Sequence, residues 1–241
     1  WGKDDQALRF YNDAKALYRS KLGDDDLEVA NCFQFMGSIY VRKKELNQAI
    51  ESYVEALRIH RIRKRTGSLT IAKILLDLGE LYENKNEFDK ALSCFTECLR
   101  IRKAGLGGDH EEVATACEHI GSVLMSKNKN AQSMSFLRTA LRIYNEKFGT
   151  ENIRYTHTLF SVARLLAKNE EYDTALSHFQ TCLLNYKKEL GSDSEKVAET
   201  LSHVGAIHSK RIDYEEAMKY LSGALKIRTK LFGRDGEQVA D

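Results

Sequence analysis

The chain has 241 residues, with 37 lysines and arginines against 35 aspartates and glutamates and a formal charge of +2, a balance too near neutral for a basic nucleic-acid arm or an acidic tail. Apolar residues make up 42%, enough for a sizeable core, and no run approaches the roughly 18 apolar residues of a membrane helix, so no membrane insertion is expected. Fifteen glycines and no proline exclude proline-rich linkers, and five cysteines, an odd count without paired spacings, point to a reducing intracellular compartment such as the cytoplasm.

In chain order, the first element is a lone helix over about residues 4–22. A strict period then sets in. Ala30, Ala72, Ala114, Thr156, Ala198 and Ala240 stand 42 residues apart without an insertion or deletion, and seven residues after the first five come Gly37, Gly79, Gly121, Ala163 and Gly205. Within one period, Phe33, Met36, Gly37 and Tyr40 fall at i, i+3, i+4 and i+7, one face of a helix, here called helix A. Ala49, Ile50, Tyr53, Ala56 and Leu57 make one stripe of a second helix, helix B, echoed by Ala91, Leu92, Phe95, Cys98 and Leu99. The recurring small residues are read as the places where the two backbones approach closely. Leu22-Gly23, Leu106-Gly107, Phe148-Gly149, Leu190-Gly191 and Phe232-Gly233 are expected to close helix B with glycine in the left-handed cap conformation, while with Arg65 in that column either the cap moves to Thr66-Gly67 or the turn is more strained. Asp24, Asp25, Asp109 and Ser192 lead into the next helix A with N-cap chemistry.

The period divides the chain into a partial repeat at 1–26 holding only helix B, five full repeats at 27–68, 69–110, 111–152, 153–194 and 195–236, and the start of another at 237–241. The fold class expected is all-α, one right-handed α-solenoid of antiparallel helix pairs. Since the pattern is cut at both ends and neither end has the polar outer face of a capping repeat, a longer parent chain or a partner covering an end is expected.

Phe33-x2-Met36-Gly37-x2-Tyr40 followed by Ala49-x3-Tyr53 and Ala56 resembles the tetratricopeptide repeat, TPR, and Leu75, Leu78, Gly79, Tyr82, Ala91, Phe95 and Cys98 repeat it. The length of 42 and the junction Leu106-Gly107-Gly108-Asp109-His110-Glu111-Glu112-Val113-Ala114 look like the kinesin light chain type. The proline common after the junction histidine in that family is replaced by Leu27, Leu69, Glu111, Ile153, Glu195 and Glu237. Asparagines that hold a cargo peptide in the family do not carry over: the matching positions are Gln34/Phe35, Leu76/Asp77, Glu118/His119, Phe160/Ser161 and Ser202/His203. The resemblance therefore implies the superhelix with helix A lining a concave groove, and no particular cargo.

By motif position, the groove is expected to present Asn31, Gln34, Arg42, Lys73, Leu76, Glu80, Glu83, Asn84, Glu118, Met125, His157, Phe160, Arg164, Lys168 and Lys210, acidic in the middle repeats and basic later, with Leu76 or Phe160 anchoring an apolar side chain of a peptide. The functional expectation is a scaffold or adaptor that binds a protein or peptide segment in this groove. The second reading is an architectural subunit of a larger assembly that uses its convex face or ends. The basic run His60 to Arg65 sits at a helix C-terminus, where cations are favoured anyway, and no nucleic-acid partner is expected. Cys94 and Cys98 are four apart, but Cys98 and Cys182 occupy the small packing column, and His208 occupies the aromatic column of Tyr40 and Tyr82, so these read as packing residues and no metal is expected. Phosphate-loop, nucleophile-elbow and HExxH patterns are all missing from the sequence, and neither cofactor nor catalysis is expected.

Overall fold

The computed structural model describes residues 2–63 and 68–233. Among these residues there are eleven α-helices and no strand: α1 (Gly2–Leu22), α2 (Leu27–Arg42), α3 (Leu46–Ile62), α4 (Leu69–Asn84), α5 (Phe88–Leu106), α6 (Glu111–Ser126), α7 (Asn130–Phe148), α8 (Ile153–Lys168), α9 (Tyr172–Leu190), α10 (Glu195–Lys210) and α11 (Tyr214–Phe232). The helices fall into two units, 1–128 with α1 to α6 and 129–241 with α7 to α11. Each unit is a stretch of α-solenoid made of antiparallel helix pairs. The even-numbered helices are type A and the odd-numbered ones type B. The expected cap at Thr66-Gly67 and the repeat start at Val239-Ala240 lie outside the described residues.

The small columns are the close approaches between paired helices. A Cβ on Gly37 would stand 3.0 Å from the Tyr53 ring, and one on Gly79 only 2.4 Å from Phe95. In the second unit, Gly205 has the same relation to Leu221 at 2.7 Å. Ala49, Ala56, Ala91 and Cys98 in the first unit, and Ala175 and Cys182 in the second, are fully buried. Small residues on one helix leave room for the large ring on the other, and that interdigitation gives close packing without voids.

The turns differ from the expected caps in an instructive way. Helix B does end on glycine, but Gly107, Gly149, Gly191 and Gly233 have φ of 79–87° with ψ of 157–173°, an extended region reserved for glycine rather than the left-handed helical one. The left-handed residue sits instead in the A-to-B turn, at Lys44, Asn86, Asn128, Glu170 and Ile212, with φ of 58–65°. There the chain closes a Schellman motif: Glu45 N–H donates to the Tyr40 carbonyl at 2.9 Å and Lys44 N–H to the Val41 carbonyl at 3.0 Å, and the bonds recur at 86–87, 170–171 and 212–213. The N-caps of helix A also fall later than expected, on Asp26, Ser68, His110, Asn152 and Ser194. Asp26, Ser68, His110 and Asn152 accept a backbone N–H from the first turn.

A polar rung ties each helix A to the helix B before it. The residue just past helix A bonds the first turn of helix B: Lys43 to Asp5 at 2.8 Å, Lys85 to Asn47 at 3.0 Å and Lys127 to Asp89 in the first unit, Arg211 to Asp173 at 2.7 Å in the second. Where the pattern would place Asn169 against Ala131, Asn169 pairs with Asn130 instead. These rungs are exposed, so they fix register more than they add stability.

Candidate functional site

In the first unit the helix-A face is built by α2, α4 and α6. Of the expected groove residues, Glu80 and Glu83 come together with His119 and Ser122: Ser122 donates to Glu83 at 2.8 Å, and the His119 ring nitrogens lie 3.4 Å from Glu80 and 3.8 Å from Glu83. His119 stacks on Phe95 at 4.8 Å. Burial opposes its protonation, but the hydrogen bond to Glu83 and the charges of Glu80, Glu83 and Glu118 outweigh that, and its pKa is raised. A pocket opens between α2 and α4, lined by Ser38, Val41, Tyr53, Asp77, Glu80, Leu81 and Asn84. Tyr53 is buried in its wall and hydrogen-bonded to Asp77. Burial first, then the charge of Glu80, pushes the Asp77 carboxyl up to about 6.

The other expected residues of this unit contribute less. Asn31 is half-buried and donates to Glu28 at 3.4 Å, Gln34, Leu76, Glu118 and Met125 are half-buried, and Lys73 is exposed. Arg42 reaches away along α1 and pairs with Asp4 at 2.6 Å.

In the second unit Arg164, Lys168 and Lys210 are exposed on α8 and α10. Phe160, expected as a groove anchor, is instead a core residue at 4% exposure. Its ring lies 5.5 Å from Phe179, 6.3 Å from Tyr186 and 5.3 Å from His203, so its surface is spent on packing, not offered to a ligand. What reaches outward over it are cations, Lys196 at 5.8 Å and Arg164 at 6.0 Å from the ring centre. His157 is half-buried with its ring 5.5 Å from Tyr186. Burial, then Lys196, lowers its pKa, and burial, then Arg164, lowers that of His203.

Sequence reasoning missed Tyr53 and Lys196 as neighbours of the site, and placed Asp77, His119 and His203 on the groove only as positions matching the family's asparagines. The signal was a second offset of 24 residues: Tyr11 stacks on Phe35 at 5.2 Å, Tyr53 bonds Asp77, Phe95 stacks on His119 and Phe179 on His203 at 5.6 Å. In these four pairs an aromatic of helix B meets the middle of the next helix A, whereas α7 carries Leu137 in that column. His208 follows the packing reading, stacked on Tyr220 at 5.5 Å and bonded to Asp213 at 3.0 Å. Cys98 is fully buried, and burial pushes its thiol up to about 11. Among the described residues no group of three or more His, Cys, Asp or Glu is placed to hold a metal, and no helix is long and apolar enough to cross a membrane.

Helix pairs of this size, small-to-large packing columns and a variable helix-A face define a tetratricopeptide array. The family model described as tetratricopeptide repeat matches residues 2–62, 70–146 and 155–230, and the chain belongs to that family. No curated protein matches the sequence. Among solved structures, BtubC (BKLC) from P. vanneervenii is similar with a TM-score of 0.76 at 18% identity, over 95% of this chain and 91% of that one. The nearly identical TPR-like repeats of a Podosopora anserina protein named for kinesin light chain give 0.69 at 13% identity, over 83% of this chain and 95% of the other. YrrB, described as a TPR protein with an unusual peptide-binding site, gives 0.57 at 19% identity, over 94% and 95%. Likeness at such identities shows the fold alone.

Proposed function

We propose that the chain is a protein-interaction scaffold whose helix-A faces hold an extended or helical segment of a partner protein. TPR proteins are generally scaffolds of this kind, and a neighbour in structure is described by a peptide-binding site. The observation that carries the reading is the pocket between α2 and α4, where carboxylates, hydroxyls and an amide open beside Val41 and Leu81. Such a mixed lining orients a partner side chain through a few polar groups while its stem is buried. With Glu80, Glu83 and Glu118 nearby, it favours cationic side chains. In the second unit, Arg164, Lys168 and Lys210 favour an acidic segment.

The test is a pull-down with two charge-reversal baits, Glu80→Lys/Glu83→Lys and Arg164→Glu/Lys168→Glu/Lys210→Glu, each checked for folding by circular dichroism. Arg42 is left unchanged because it is committed to Asp4. Selective loss of a partner that the wild type retains supports the reading. Recovery of the same partners by all three baits sinks it, and the chain is then an architectural subunit that works through its outer helices or ends.

A further inference from the structure

Gly223 lies in the interior of α11, where glycine weakens a helix, and no close approach requires it. A Cβ there would meet Leu201 at 3.6 Å, an ordinary contact, unlike the 2.7 Å clash at Gly205. The same column holds Glu55, Glu97, Thr139 and Thr181 in α3, α5, α7 and α9. At Gly223 a groove opens that is bounded by α9, α10 and α11. It is lined by Lys187 and Lys226 together with apolar Val197, Leu201 and Ile227.

Repeat symmetry shows what the two lysines lack. In the first unit Arg61, three periods of 42 before Lys187, pairs at 2.6 Å with Glu97, three periods before Gly223. Arg58, four periods before Lys226, pairs with Glu55 of the Gly223 column at 3.0 Å and with Asp25 at 2.7 Å. In the second unit the acid of that column is gone, and Asp193, the counterpart of Asp25, is taken by Lys230. Among the described residues Lys187 and Lys226 are therefore exposed without an anionic partner. Arg61 and Glu97 stay 47% and 31% exposed although further helices pack on α3 and α5. The groove thus faces solvent within the array and not only beside its last helix.

We propose that this groove is a second docking site, distinct from the helix-A faces, for a glutamate side chain of a partner protein. The carboxylate takes the role that Glu97 has in the first unit and pairs with Lys187 and Lys226. Its methylene stem and an adjoining aliphatic side chain lie on Val197, Leu201 and Ile227. That apolar floor favours a carboxylate on an aliphatic stem over a free oxyanion, which would leave the floor in water.

The test uses the 241-residue chain and a fluorescein-labelled peptide of alternating glutamate and leucine pairs, with a glutamine counterpart as control. Saturable binding of the glutamate peptide alone is expected by anisotropy. Gly223→Glu, which returns the chain's own carboxylate to the column, should weaken binding about tenfold or more while raising the thermal midpoint. Damage to the fold would not produce that pair of changes. Lys187→Glu/Lys226→Glu should weaken binding as well, and Gly223→Ala, which adds no charge, should leave it unchanged. The Arg164→Glu/Lys168→Glu/Lys210→Glu variant should retain it, so failure of the helix-A reading leaves this one standing. The proposal is overturned by absence of saturable binding, by equal binding to the wild type and Gly223→Glu, or by loss in the helix-A variant instead. Displacement by an equal concentration of inorganic phosphate also overturns it, because a free oxyanion is then sufficient.

Discussion

Asn185 shows how one repeat departs from the common pattern while its buried polar group keeps hydrogen-bond partners. The column of Ile59, Ile101, Ile143 and Ile227 carries Asn185 in the fourth repeat, and the column of Ala30, Ala72, Ala114 and Ala198 carries Thr156. The two departures meet: buried Asn185 donates to the Thr156 hydroxyl at 2.9 Å and to the Thr150 carbonyl at 2.8 Å. Asn185→Ile alone should cost about 1–3 kcal/mol by stranding these polar partners. Adding Thr156→Ala, which restores the pattern of the other repeats, should recover most of that, and urea unfolding of the two single variants and the double measures the coupling. Ile212 is the opposite case, a local misfit. A β-branched residue at φ of 64° is strained, whereas Asn86 and Asn128 hold the same turn position comfortably. Ile212→Asn should therefore raise stability by about 1 kcal/mol, seen as a higher urea midpoint with unchanged slope.

At the scale of elements, packing columns decide which helices pair and the rungs decide their register. Alanine is favoured over glycine within a helix by about 1 kcal/mol, so the sign of Gly79→Ala reveals which constraint prevails. With Phe95 2.4 Å from the added Cβ, the substitution should destabilise the α4/α5 pair by about 1–3 kcal/mol, and Phe95→Leu should relieve part of the loss. A stabilised variant in thermal unfolding would contradict the close approach. In solenoids each repeat contacts its neighbours, so hydrogen exchange should report the damage mainly in α4, α5 and the helices packed on them.

Over the whole molecule, the two units should answer acidification in opposite senses. In the first, Asp77 is raised from 3.8 to about 6 and His119 is raised from 6.5, so the folded form binds protons more tightly than the unfolded one. The stability these groups add is present at low pH and is lost as pH rises through the folded values. In the second, His157, His178 and His203 are lowered from 6.5, chiefly by burial. Their contribution is present above 6.5 and is lost as pH falls below it. Hydrogen exchange at pH 5.5 and 7.5, corrected for intrinsic rates, should show protection shifting toward α2–α6 in acid and toward α8–α11 at the higher pH. Asp77→Asn should flatten the response of the first unit between about pH 4 and 6.

Much of this architecture was legible in the sequence because repetition turns packing into columns. A position that stays small from period to period, such as Gly37 and Gly79, facing one that stays large, such as Tyr53 and Phe95, announces both the helix and its partner. The helix-A face was legible only as a set of positions, since nothing forces a solvent-facing column to repeat. Chain periodicity alone assigned Phe160 to that face, but its neighbours Phe179, Tyr186 and His203 close over the ring and take it into the core. The turns follow the same rule: glycine marked where a positive φ was needed, whereas the left-handed Lys44, Glu170 and Ile212 carry no such mark, because there a Schellman hydrogen-bond pair imposes the conformation. The sequence by itself thus determined the fold class, the period and the A/B packing contacts, each dictated by local spacing and side-chain volume. Only the tertiary structure decided which side chains meet across helices, from Asp77 with Tyr53 and His119 with Glu83 to Asn185 with Thr156, because burial and charge act through space rather than along the chain.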